Sequence, residues 1–130
     1  MAHPRMFDDD DPLLQRLRSV ALALPDAAEK VSHGIPAFYT TKVFAYFGGS
    51  VKVDGEWVRH PGAVMVLPDA GEREALVQDP RCFVPAYLGP SGWVGLDLAD
   101  VDDWAEVEEL VESSYRNTAG PRRVRALDAR

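Results

Sequence analysis

Between Ala37 and Leu67 the chain carries five short runs of aromatic and β-branched residues, each ended by a turn signal, and that rhythm reads as a meander of short antiparallel strands. Ala37-Phe38-Tyr39 and Val43 to Phe47 are joined by Thr40-Thr41-Lys42, and Gly48-Gly49 breaks the second run. Val51-Lys52-Val53 and Trp57-Val58 flank Asp54-Gly55, the strongest short-range hairpin signal, because both residues of a two-residue turn there must take positive φ. Ala63 to Leu67 follows Pro61-Gly62, and β character begins near Glu29. Two further strands are predicted at Cys82 to Pro85 and Trp93 to Leu98, around the loop Leu88 to Gly92.

Helices bracket this region. Asp11-Pro12 reads as a cap followed by proline at the first helical position, and Leu13, Leu17, Val20, Ala21 and Leu24 recur at helical spacing until Pro25. Asp69 caps a short helix that Asp79-Pro80 closes. A longer one starts near Asp102, with Trp104, Val107, Val111 and Tyr115 on one face and Glu106, Glu109 and Glu112 turned mostly away, and Gly120-Pro121 ends it. The order predicts an α+β fold, a central antiparallel sheet of five or six strands with the N- and C-terminal helices packed on it. Residues 1–11 read as an acidic tail, 12–118 as one domain, and 119–130 as a basic tail that is either a short helix or an arm.

The chain has 130 residues, 46% of them hydrophobic and 27% charged, which suits one globular domain and argues against disorder. Cys82 is the only cysteine, so no internal disulfide framework exists and a reducing compartment is expected. Neither an apolar run of membrane-spanning length nor a signal peptide's apolar stretch is present, so the expected location is the cytoplasm, away from membranes. Net charge is −7, unevenly spread. The last ten residues hold four arginines against one aspartate, a net of +3, which leaves −10 on the rest. A nucleic-acid binder needs a basic face, and here that face must be local.

Motifs for catalysis are absent: there is no nucleophile elbow, Walker loop, dinucleotide fingerprint or H-E-x-x-H. Cys82 lies between Arg81 and Phe83 and reads as a small buried hydrophobe more than as a nucleophile. His3, His33 and His60 lack metal-ligand spacing, and the aspartates at 8–11 suit the positive end of the first helix dipole. The expectation is a protein with no catalytic residues, metal or cofactor. Aromatic residues are concentrated in the sheet region, with Phe44 and Tyr46 alternating against Val43, Ala45 and Phe47, which implies that both sheet faces carry rings.

Several segments together resemble the MmcQ/YjbR-like family. They are Ser32-His33-Gly34-Ile35-Pro36-Ala37-Phe38, Lys42-Val43-Phe44-Ala45, Tyr87-Leu88-Gly89 leading into Gly92-Trp93-Val94-Gly95-Leu96-Asp97-Leu98, and the helix from Trp104 to Tyr115. The resemblance covers residues 12–118. It implies a CyaY-like α+β fold, and it implies an association with DNA, since members are labelled as DNA-binding on the strength of paired β-hairpin wings. Some relatives are encoded in antibiotic biosynthesis clusters, which implies a small-molecule or self-resistance role instead. The chain departs from the family pattern at Asp54 to Gly62, where its hairpin is longer than usual.

Three binding functions follow. Weak, nonspecific DNA association would use Lys42, Lys52, Arg59, Arg122, Arg123 and Arg125. A pocket for a flat or aromatic small molecule would be walled by Phe38, Phe44, Tyr46, Trp57 and Trp93. A protein-interaction module would dock a basic partner on the acidic last helix. Trp93 is expected to pack inward against a helix, and Trp57, near the hairpin tip, to be exposed.

Overall fold

The structure, a computed structural model, describes residues 4–130. Its elements are α1 (Pro12–Ala21), β1 (Ala28–Ser32), β2 (Ile35–Tyr39), β3 (Val43–Phe47), β4 (Ser50–Val53), β5 (Glu56–Arg59), β6 (Ala63–Val66), α2 (Ala70–Leu76), β7 (Cys82–Phe83), β8 (Val94–Asp97), α3 (Ala105–Thr118) and α4 (Pro121–Asp128). Six strands form one antiparallel sheet in the order β1-β2-β3-β6-β8-β7, and β4 and β5 pair separately. The α+β architecture is as predicted, with helices from both ends of the chain covering one face of the sheet.

Caps and turns behave as their chemistry requires. The Asp11 carboxylate accepts the Leu13 amide at the start of α1, and that of Asp69 accepts the Glu72 amide at the start of α2. His33 and Gly34 take φ of 51° and 86°, and Asp54 and Gly55 take 52° and 80°, the paired left-handed residues of tight hairpin turns.

Register sorts the side chains between two faces. Phe38, Ala45 and Val66 lie opposite one another across β2, β3 and β6, as do Phe47, Val64 and Leu96 across β3, β6 and β8. All six are buried against Leu14 and Leu17 of α1 and Val107 and Val111 of α3. On the other face, Ala37, Tyr46, Met65, Gly95 and Phe83 form a row.

A β-bulge alters this pattern at one residue. Phe38 pairs with Ala45 and Tyr39 with Val43, so Phe44 is an extra residue on β3. Instead of sharing a face with Tyr46, Phe44 is fully buried under the helices, its ring edge-on to Tyr115 at 5.3 Å. The alternation read from the sequence fails here because the bulge shifts its phase. A buried hydroxyl fixes the same spot from α3: Ser114 Oγ donates to the Phe44 carbonyl at 2.5 Å and accepts the Leu67 amide at 2.9 Å. The helix is thereby bolted to β3 and to the end of β6.

Both predicted tails pack on the domain over their described residues, 4–11 and 119–130; residues 1–3 of the first lie outside the described residues. The Met6 amide donates to the Gly34 carbonyl at 2.9 Å, and Asp9 receives Arg18, which also grips Glu29 of β1. Residues 121–130 are the short helix rather than the arm: α4 buries Leu127 in the core, and Arg123 pairs with Asp26 at 3.1 Å. Among the described residues no helix is long and apolar enough to cross a membrane.

Candidate ligand-binding cleft

β3 and β6 are neighbours in the sheet, and β4-β5 is the distal half of the same long hairpin. Pairing continues through the junction, since Gly48 donates to the Ala63 carbonyl at 2.7 Å and His60 to that of Gly49 at 2.8 Å. Two glycines let it bend. Gly48 has φ of 104°, and a Cβ on Gly49 would stand 2.9 Å from Met65 Sδ and 3.1 Å from the Phe83 ring.

The bent hairpin faces the sheet surface that carries no helix. Cross-strand pairs Ser50–Arg59 and Lys52–Trp57 lie on one side of its ladder, Val51–Val58 and Val53–Glu56 on the other. Ser50, Trp57 and Arg59 line a cleft of about 810 Å³ whose floor includes Tyr46 and Met65. A second wall is the loop Pro85 to Leu88, tied to the hairpin by the Ala86 amide on the Ser50 carbonyl at 2.9 Å. Met6, Ser32, His33 and Ile35 make the third.

Two rings guard the mouth. Trp57 and Tyr87, 49% and 83% exposed, meet at 5.7 Å between centroids. Tyr87 holds φ of 63°, a left-handed conformation that a residue with a Cβ adopts at a cost of about 1–3 kcal/mol, as is common where a side chain is aimed for use. Behind the floor, the Trp93 ring meets Tyr46 at 5.1 Å between centroids with the planes tilted by 59°, and burial pushes the Tyr46 phenol above its ordinary pKa. Below Met65, the Phe83 ring lies parallel to His60 at 3.9 Å, and His60 Nδ1 stands 2.9 Å from the Asp97 carboxylate.

Charge in the cleft is unlike that of the chain. Among the described residues its lining holds no aspartate or glutamate, and Arg59 is the only lysine or arginine there. The Arg59 guanidinium makes one hydrogen bond among those residues, to the Met6 carbonyl at 3.4 Å.

Of the aromatic residues predicted to wall a pocket, Tyr46 and Trp57 line the cleft. Phe38 and Phe44 lie beneath the helices on the opposite face, and neither can meet a ligand there. Trp93 is buried as expected, with its ring against Tyr46 on the cleft side and outside the core cluster beneath α1 and α3. Sequence reasoning did not assign Tyr87, Met65, Ile35 or Met6 to the site. The Tyr87-Leu88-Gly89 motif was the one available pointer, since an aromatic residue in a turn has few neighbours to bury it.

The predicted nucleic-acid residues separate into two groups. Lys42 sits in the turn before β3, where Arg123 donates to Thr41 at 3.3 Å and Asp26 faces both Arg122 and Arg123. Arg125 is exposed on the neighbouring α4. Lys52 and Arg59 lie beyond the other end of β3, about 16 Å away for a five-residue strand. The Lys52 ammonium rests over the Trp57 ring at 5.5 Å.

Cys82 lies on the helix side of its strand, and burial, reinforced by the Asp79 carboxylate, pushes its thiol up to about 11. Arg81 beside it forks between Asp79 and Glu106, at 2.7 and 2.5 Å, and its opposing pull on the thiol is outweighed by burial and by Asp79.

The family model described as YjbR matches residues 22–117, which span everything from the end of α1 to the last turn of α3. No curated protein and no solved structure matches the chain.

Proposed function

This chain belongs to the YjbR family, and from that premise we propose that it is a non-enzymatic binding protein whose site is the cleft under the bent hairpin. The observation that carries this reading is the exposed pair Trp57 and Tyr87 at the mouth of an apolar cleft of about 810 Å³. Rings that a fold leaves in water at an opening are available to a ligand's rings, and the volume suits a drug-sized molecule. A flat aromatic molecule would stack against Trp57 or Tyr87 and rest on Tyr46 and Met65. The rigid backing supplied by Trp93 and Phe83 means that little ordering remains to be done on binding.

DNA association is the weaker reading. Its cations fall at opposite ends of β3, and Asp26 already engages two of them. Each phosphate contacted adds about −0.9 to the slope of log affinity against log salt, so a shallow slope is expected with duplex DNA. Nanomolar binding to one sequence at physiological salt would reverse this order of preference.

The deciding experiment screens flat aromatic compounds by ligand-observed NMR against the wild type and a Trp57→Ala/Tyr87→Ala variant. Binding is expected in the first and lost in the second, with the melting temperature little changed because both rings are exposed. Hits that bind the double variant equally well would remove the cleft as the site.

A further inference from the structure

We infer that the cleft selects planar aromatic ligands that carry an anionic group, with Arg59 as the anchor for that charge. The inference rests on the cleft reading above and deepens it. In a chain with 21 acidic residues and a net charge of −7, a cleft with none of them among its described lining residues is an exception. Several arginines elsewhere find carboxylates: Arg18 holds Asp9 and Glu29, Arg81 holds Asp79 and Glu106, and Arg116 holds Asp128, while Arg16 lies over the Trp104 ring and Arg73 reaches the Gly89 carbonyl. Arg59 has only a long contact to the Met6 carbonyl, which leaves most of its five N–H donors without a protein acceptor among the described residues.

Strand geometry sets the shape of the ligand. Trp57 and Arg59 are two residues apart on β5 and project from the same side of the hairpin, so their side chains rise about 7 Å apart. A ring stacked on Trp57 therefore brings a substituent on its edge to the guanidinium. Carboxylate, sulfonate and phosphate all suit a planar fork of donors, and each would meet no acidic neighbour in the lining. Lys52, directly opposite Trp57 on β4, adds a second positive charge at the rim. A cationic aromatic molecule finds no counter-ion in the same space. The overall negative field gives no help to an incoming anion, so selection is a short-range matter of Arg59 and depends on salt over a Debye length of about 8–10 Å.

Two fluorescent probes with the same ring system separate the contributions: 8-anilinonaphthalene-1-sulfonate and its uncharged counterpart N-phenyl-1-naphthylamine. Both are titrated into folded wild-type protein, Arg59→Gln, Arg59→Lys and Trp57→Ala/Tyr87→Ala, with a cooperative melt required of each variant. The sulfonate is expected to bind the wild type more tightly, and Arg59→Gln to weaken it by about tenfold, the scale of one charge-assisted hydrogen bond. The uncharged probe should bind wild type and Arg59→Gln alike, and Arg59→Lys should keep part of the sulfonate's advantage. If both probes bind, both are lost in the double aromatic variant, and Arg59→Gln changes neither, the anion preference is wrong while the cleft stands. If neither probe binds, or both bind the double aromatic variant undiminished, the cleft itself falls and this inference with it.

Discussion

The ring of Phe83 lies directly on Gly95, so close that a Cβ on Gly95 would stand 2.1 Å from it. The two residues pair across β7 and β8, and the missing side chain is what lets the ring lie flat on the sheet, stacked against His60 and touching Gly49 at the hairpin bend. One glycine thus supports the hinge of the cleft through one phenylalanine.

Gly95→Ala is expected to evict the Phe83 ring and destabilise the protein by about 1–3 kcal/mol, the usual cost of overpacking. The two sites should be strongly non-additive. In a Phe83→Ala background the same alanine at 95 has room, so its cost should shrink toward zero. Urea denaturation of the four proteins in this cycle measures the coupling, and additive costs would show that the ring and the glycine act separately.

What the sequence makes legible follows local chemistry. The capped helix starts at Asp11-Pro12 and Asp69, the Asp54-Gly55 turn and the strands on either side of it are written in residues a few positions apart. β1 was harder to see, because Ala28-Glu29-Lys30-Val31-Ser32 is an edge strand whose outer side needs no apolar residue. The bulge at Phe44 is invisible for a different reason. Nothing in Val43 to Phe47 marks an extra residue, and the phase shift is imposed from outside by Ser114 and Tyr115 on a helix seventy residues on. The exposed Trp57 could be inferred from its place beside a turn. Its companion Tyr87 could not, since that meeting depends on a loop docking on the hairpin through Ala86.

The two tryptophans near the cleft should part company under substitution. Trp93 is 8% exposed and Trp57 49%. Trp93→Ala removes the ring behind Tyr46 and should cost about 3–5 kcal/mol, enough to unfold many small domains. Trp57→Ala should leave the melting temperature within a few degrees of wild type and reduce binding of flat aromatic compounds. Thermal melts of the two variants, run beside a ligand titration, make the comparison; equal destabilisation would mean that Trp57 belongs to the core.

Cys82 offers a test by pH. Its thiol, ordinarily near 9.0, is pushed up to about 11, first by burial and then by the Asp79 carboxylate. The folded state therefore favours the neutral thiol. The stability this contributes is complete below 9.0 and is lost as pH rises toward 11, because the unfolded chain ionises first. Alkylation by iodoacetamide should accordingly be slow at pH 8 and rise with a midpoint well above 9. Cys82→Ala should flatten the loss of stability between pH 9 and 11. Rapid alkylation at pH 7 would place the thiol in a different environment from the one described.

The C-terminal helix supplies the sharpest contrast between chain order and tertiary role. Taken by composition, residues 121–130 are a basic appendage that should be removable. In the fold, Leu127 is buried in the common core, Arg123 reaches Asp26 and Thr41 in the turns flanking β1 and β2, and Arg116 of α3 holds Asp128. The α4 helix therefore clamps the end of α3 to the start of the sheet. Near that clamp the Tyr115 hydroxyl donates to the Pro25 carbonyl at 2.6 Å, so α3 and the segment after α1 depend on the same corner. Ending the chain at Gly120 should lower stability, and Leu127→Ala alone should cost about 2 kcal/mol, the low end for a leucine truncation because the site is at the margin of the core. Arg125→Ala, on an exposed position, should cost nothing measurable. Denaturant midpoints of the three variants settle the matter, and a truncated chain as stable as the full one would return α4 to the status of an appendage.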